Sequence, residues 1–190
     1  MRPADEVLRW SAPRWPLLGR MRRDLAGRRR LRRSTAALMW GSYAVHGLAM
    51  FATLRRGAPL PLPRSLTIPA GTVLAGFGGA CLFAGARRFD GPAQLTGTAV
   101  QPLLTGGIYG YSRNPQYVGY TLLLTGAAVG CRNAGAMVLV TLLGASYVAW
   151  VPVEEEHLVG VFGDAYLDYQ GRIARWWGTA SVAREEGLEE

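Results

Sequence analysis

Apolar positions in this chain fall into four blocks, and three of them are long and unbroken. Ser34–Leu54 and Leu66–Ala86 contain no arginine and no acid, and Ala134–Val153 is equally uncharged. At about 1.5 Å per residue, the first block covers about 30 Å of helix, enough to cross a bilayer. Tyr117–Cys131 is also apolar, but it covers only about 22 Å and spans only by starting deep or by local thinning. Arg132-Asn133 leaves room for a minimal turn, so the last two blocks form a tight antiparallel hairpin. The pattern predicts an all-α, polytopic helical membrane protein. It has about four transmembrane helices, at 34–54, 66–86, 117–131 and 134–153, the last two forming a C-terminal helical hairpin.

The segments between the blocks read as connectors. Arg55–Arg64 carries three prolines and cannot continue a helix. Arg87–Ser112 is polar, with Phe89-Asp90-Gly91-Pro92 as a turn. Gly71, Gly76, Gly78, Gly79 and Gly85 in the second block, and the Gly126/Gly130 pair in the third, let helices approach closely in lipid. No strand precedes them, so they do not form a nucleotide-binding loop. Beyond the fourth block, Leu158, Phe162, Tyr166, Tyr169 and Ile173 recur at helical spacing, with Gly163 and Gly171 expected to divide the segment. These features partition the chain into a basic N-terminal segment (1–33), a membrane domain (34–177) and a frayed acidic tail (178–190).

Charge adds an orientation. The chain carries +8, and all 21 of its basic residues are arginine. Residues 1–33 hold eleven of them against Asp5, Glu6 and Asp24, so this segment accounts for the whole excess. Next to an apolar block, such a cluster reads as a contact with anionic lipid, through headgroup anchors such as Trp10 and Trp15, and not with nucleic acid. Four spans place both termini, Arg87, Arg88 and Arg113 on one side, which the positive-inside rule makes the cytoplasmic side of the membrane of a bacterium-like, lysine-free chain. Cys81 and Cys131 have no metal or disulfide spacing. His46, inside the first block, reads as a neutral side chain bonded to a neighbouring helix.

Candidate chemistry lies in two places. Gly106–Gly119 is dense in polar side chains where a loop becomes an apolar helix, with Pro115 suited to the first turn and Asn114 to the N-cap. Glu154-Glu155-Glu156 stands at the exit of the fourth block, followed by aromatics and by Arg172 and Arg175. The hairpin brings the two stretches to one face. Carboxylates, arginines and tyrosines together suit a zwitterionic, partly aromatic cofactor, because arginine holds a carboxylate bidentately and tyrosine faces stabilise a cation such as a sulfonium. Two isolated histidines make no metal site.

Gly107-Ile108-Tyr109-Gly110-Tyr111-Ser112-Arg113-Asn114-Pro115-Gln116-Tyr117-Val118-Gly119 resembles the G-x-Y-x-x-x-R-[HN]-P-x-Y-x-G motif of the isoprenylcysteine carboxyl methyltransferase-like family, which is itself similar to the phospholipid N-methyltransferases. Glu154-Glu155, Leu158, Phe162-Gly163, Tyr166, Tyr169, Arg172 and Arg175-Trp176 resemble its second block. The resemblance implies a membrane methyltransferase that uses S-adenosyl-L-methionine on a lipophilic acceptor entering from the bilayer: a prenyl carboxylate, a phospholipid amine or an alkyl phenol. Carried over by position, it implies a cofactor pocket of Tyr109, Arg113, Asn114, Pro115, Tyr117, Gly119, Glu154, Glu155, Tyr169, Arg172 and Arg175. Glu155, Glu154 and Arg113 would be the catalytic members. Asn114 stands where eukaryotic members carry histidine, and asparagine cannot act as an acid or base, though a hydrogen bond that holds the cofactor stays open to it. Two further readings stay open: a sterol-reductase-like enzyme using NADPH, and a non-catalytic membrane protein.

Overall fold

The computed structural model describes residues 15–56, 59–100 and 102–180. Trp10 and residues 181–190 lie outside them, as do the expectations attached to those positions. The described chain is helical, in the order α1 (Pro16–Arg28), α2 (Arg33–Arg56), α3 (Arg64–Ala86), α4 (Pro92–Leu95), a single 3₁₀ turn (Gly107–Gly110), α5 (Pro115–Gly130), α6 (Ala134–Phe162) and α7 (Asp164–Arg172). Three of these, α2, α3 and α6, are long and apolar enough to cross a membrane.

The third apolar block, the short one, forms as α5 with 16 residues, about 24 Å, less than the thickness of a bilayer. Its partner explains why it is stable at that length. A Cβ on Gly78 would lie 2.7 Å from the Gly119 carbonyl oxygen, one on Gly126 would lie 2.6 Å from the Gly71 carbonyl oxygen, and one on Gly85 would lie 2.9 Å from Gln116. The two helices therefore run antiparallel in backbone contact, which only small residues permit. Residues 64–70 of α3 extend past the end of α5. There the turn at 131–133 is covered by the α2–α3 connector and the last turns of α2: Arg132 Nη2 donates to the Leu60 carbonyl (2.9 Å) and Asn133 Nδ2 to the Thr53 carbonyl of α2 (2.8 Å). Asn133 also accepts from the Ala136 amide at 2.9 Å and so caps α6. Arg132, at φ 54°, takes the left-handed turn itself.

Helix α6 continues nine residues past the expected end at Val153 and stops at Gly163, whose φ of 54° suits glycine. Gly171, expected to break the segment again, lies inside α7. His46 Nε2 lies 3.1 Å from the Leu139 carbonyl oxygen on α6, the structural role read for it.

Within the basic N-terminal segment, residues 16–28 are helical because Leu18, Met21 and Leu25 recur on one face. That face is buried against Met39 of α2 and Ala149, Trp150 and Val153 of α6. Asp24, the acid of this helix, is buried. It accepts from the Thr35 hydroxyl at 2.5 Å and from the Arg32 amide at 3.1 Å, and it pairs with the Arg32 guanidinium at 3.2 Å. Burial pushes its carboxyl up, but these donors and the nearby Arg28 outweigh burial and hold it below its ordinary value of 3.8. A depressed folded-state pKa stabilises the fold above that value, and the contribution disappears as pH falls through the folded pKa. Asp24→Asn should cost about 1.5–3 kcal/mol, as for hydrogen bonds to a charged group. The cost reads as a lower thermal midpoint in detergent at neutral pH, and the gap to the parent should close in acid below the ordinary carboxylate range.

Candidate functional site

The first polar stretch enters α5 through a tight path. Gly107, at φ 66°, starts the 3₁₀ turn, and Pro115 opens α5 with Asn114 at the N-cap. The Asn114 side chain makes no cap bond. It donates instead to the Arg175 carbonyl at 3.1 Å, while its own amide donates to the Ser112 hydroxyl at 3.0 Å. The C-terminal segment is bound to the same stretch by further contacts. The Tyr169 hydroxyl donates to the Tyr109 carbonyl (2.7 Å), the Arg113 amide to the Ala174 carbonyl (3.2 Å) and the Gly178 amide to the Tyr111 carbonyl (2.7 Å). Residues sixty positions apart are thus joined through their backbones, and Asn114 serves as one of the joints.

Adjacent helical residues point about 100° apart, and this separates the two glutamates. Glu155 faces the C-terminal segment. Its Oε1 pairs with Arg113 Nη2 at 3.1 Å, and its Oε2 takes Arg175 Nη2 at 2.6 Å and Nε at 3.1 Å. Glu155 and Arg113 are nearly buried, with side-chain exposures of 6% and 10%, and Arg175 is at 33%. Two guanidiniums on one carboxylate leave a local excess of positive charge. Glu154 faces the other way, toward α2 and α5. It accepts from the Tyr117 hydroxyl at 2.9 and 3.0 Å and from the Trp150 indole at 2.8 Å.

Behind these groups lies a cavity of about 510 Å³. Its wall combines the polar and aromatic side chains Tyr109, Arg113, Asn114, Tyr117, Glu154, Tyr166 and Tyr169 with the apolar Met39, Leu82, Ala86, Leu95, Leu103 and Leu104. Burial raises the phenols of Tyr109, Tyr166 and Tyr169, the last to about 12, so all three stay neutral hydrogen-bond donors at ordinary pH.

Of the positions carried over from the resemblance, Tyr109, Arg113, Asn114, Tyr117, Glu154 and Tyr169 meet in the cavity wall. Glu155 and Arg175 stand behind Arg113 in the ion cluster. Pro115 is buried at the start of α5. Gly119 faces α3, where a Cβ would lie 2.5 Å from the Leu82 amide, so it sets helix contact. Arg172 is exposed and donates to the Asp168 carbonyl of its own helix at 3.3 Å, away from the cavity.

The sequence reading missed an aromatic group on the same wall. Tyr117 and Tyr147 stack with centroids 4.5 Å apart, and Tyr43 contacts Tyr120 at 5.9 Å and Trp150 at 6.4 Å. A signal for half of it was present: Tyr147, Trp150 and Glu154 are spaced i, i+3, i+7, one helix face. On α2 the signal was weaker: Trp40 and Tyr43 are spaced i, i+3 and their rings meet at 5.6 Å, but nothing in that apolar block says which neighbour the face meets. Among the described residues no group of histidine, cysteine, aspartate and glutamate side chains has the makings of a metal site.

A family model described as phospholipid methyltransferase matches residues 67–165, more than half of the 190-residue chain. Two curated relatives share part of it, both named protein-S-isoprenylcysteine O-methyltransferase. The Schizosaccharomyces pombe protein is 35% identical over 72 residues, which are 37% of this chain and 30% of the relative. The Mus musculus protein is 30% identical over 95 residues, 50% of this chain and 34% of the relative. The matched stretch thus spans about a third of the length of either relative. No solved structure matches the chain. The matched residues run from α3 into α7 and include α5 and α6, which carry Tyr117 and Glu154 of the cavity wall, and the chain belongs to the phospholipid methyltransferase family.

Proposed function

We propose that this protein transfers a methyl group from S-adenosyl-L-methionine to a lipophilic acceptor that enters from the bilayer. One observation carries the reading: a single cavity is lined both by charged and aromatic side chains and by apolar ones, and membrane-length helices contribute to its wall. The donor set fits the cofactor. Arg113 lines the cavity, and its buried Nε has no hydrogen-bond partner among the described residues, so it can hold a carboxylate. Glu154 supplies the opposite charge for an ammonium, and the faces of Tyr117 and Tyr147 offer a cation a favourable quadrupole. When bound, the cofactor supplies an electrophilic methyl group on a sulfonium.

The rest belongs to the protein. Arg113, braced by Glu155, fixes one end of the site. Asn114 and Tyr169 keep the two polar stretches in register. Leucines of the cavity wall hold the acceptor's chain, so its reactive end is presented in line, and that positioning is the main source of rate. A carboxylate acceptor needs no base. An amine or phenol does, and Glu154 is the group placed to take its proton. The family description favours a phospholipid amine and the relatives' names favour a prenylcysteine carboxylate. Both fit an acceptor with a polar head and an apolar tail. By the positive-inside rule the cavity opens on the cytoplasmic side, with the basic N-terminal segment against anionic lipid.

The test is labelled methyl transfer from S-adenosylmethionine into a total membrane lipid extract, with a farnesylated cysteine offered in parallel, plus thermal shift in detergent. The expected result is label in one lipid class and stabilisation by S-adenosylhomocysteine. Stabilisation by NADPH instead, or by neither compound, would overturn the reading.

A further inference from the structure

A second cavity, of about 370 Å³, lies outside the site already described. It is lined by Arg20 and Arg23 of α1, Arg32 of the α1–α2 connection, and Asp24, Ser34 and Thr35. The carboxylate in its floor is already committed, because Asp24 is occupied by Thr35 and by Arg32. No acid among the described residues forms an ion pair with Arg20 or Arg23, while their neighbour Arg22 reaches Glu156 at 3.5 Å. Arg20, Arg23, Arg32 and Ser34 are exposed. Three arginines therefore line one hollow whose single counter-charge, Asp24, is already engaged, one of its partners being Arg32. Arranged this way, forked donors match the oxygens of a phosphate.

Position selects which phosphate. The hollow stands at the entry of α2, which begins at Arg33 and is long and apolar enough to cross a membrane. That is headgroup level, where an anionic lipid presents its phosphodiester beside its own apolar tails. The inward face of α1 is apolar and packs on α6, and Met21 and Leu25 also line the large cavity. We propose that the Arg20–Arg23–Arg32 hollow is a binding site for the phosphate of one anionic phospholipid. The bound lipid neutralises the repulsion among the three arginines and holds α1 against α6. The site does not depend on methyl transfer.

Native mass spectrometry of the full chain in detergent, with phosphatidylglycerol or phosphatidylcholine added, tests the proposal. The parent should retain one phosphatidylglycerol in preference to phosphatidylcholine. Arg20→Gln with Arg23→Gln should weaken that retention about thirtyfold, from the contribution expected of two arginines at a membrane surface. Both residues are exposed, so the variant should fold. Arg55→Gln with Arg56→Gln, at the other end of α2, removes equal charge and should change little. Equal retention in both double variants would overturn the site in favour of diffuse attraction. Equal retention of phosphatidylcholine, or displacement of the lipid by millimolar inorganic phosphate, would overturn it as a lipid site.

Discussion

In Glu154→Gln, methyl transfer to an amine or phenol acceptor should fall by about two orders of magnitude or more, the usual worth of a positioned acid–base group, with little change in thermal midpoint. Glutamine keeps an oxygen for the Tyr117 hydroxyl and the Trp150 indole, so the packing survives and only the charge facing the cavity is lost. Glu155→Gln should behave in the opposite way. It strips the carboxylate from between Arg113 and Arg175 and leaves Arg113 buried without a counter-ion. Breaking such a pair costs about 3 kcal/mol, the low end of its range because Arg175 is a third exposed. The expected outcome is a poorly accumulating, easily melted protein. Methyl transfer and detergent melting, measured on both variants, separate the roles. More than a tenth of parental turnover of an amine or phenol acceptor in Glu154→Gln, with the cofactor saturating, would remove Glu154 from the chemistry.

Gly78→Val should prevent the membrane helices from assembling. A Cβ there lies 2.7 Å from the Gly119 carbonyl and in contact with the Leu123 amide. Both obstacles are backbone, which cannot rotate away, so the cost should reach or exceed the upper end of the ~1–3 kcal/mol seen for overpacking. Gly76→Val is the matched control. It lies two residues away on the same helix, and a Cβ there meets nothing within 4 Å. Size-exclusion profiles in detergent should show aggregate or no protein for the first substitution and a parental peak for the second. Parental behaviour in both would mean that α3 and α5 are not in backbone contact.

These two experiments mark what could be read before any fold was known. Helix number and rough bounds follow from long uncharged runs, because a bilayer-length apolar stretch has few alternatives to a helix. The pairing of α3 with α5 was only half visible. Glycine density announced close packing, but not that Gly78 and Gly126 face a partner while Gly76 and Gly79 face outward. The two polar stretches were legible as one site because the hairpin forces them to the same end. The division of labour between Glu154 and Glu155 was not legible, since it depends on which flank of α6 each neighbour occupies. Helix α1 was obscured by its arginines, whose charge dominates the composition although Leu18, Met21 and Leu25 decide its packing.

The short α5 has one more consequence. Gly85 meets Gln116 at the site end, so α3 and α5 finish level there, and the whole deficit of α5 falls at the opposite end, beside residues 64–70. Those seven residues correspond to about 10 Å. At that depth sit Arg132 and Asn133, held by the connector and by the end of α2, and cover by protein is the condition under which irregular backbone is tolerated within a bilayer. Hydrophobic mismatch is therefore lopsided. A thicker membrane strains the connector and the turn beneath it, while the end that carries Arg113 and Glu154 keeps its level with the surrounding helices.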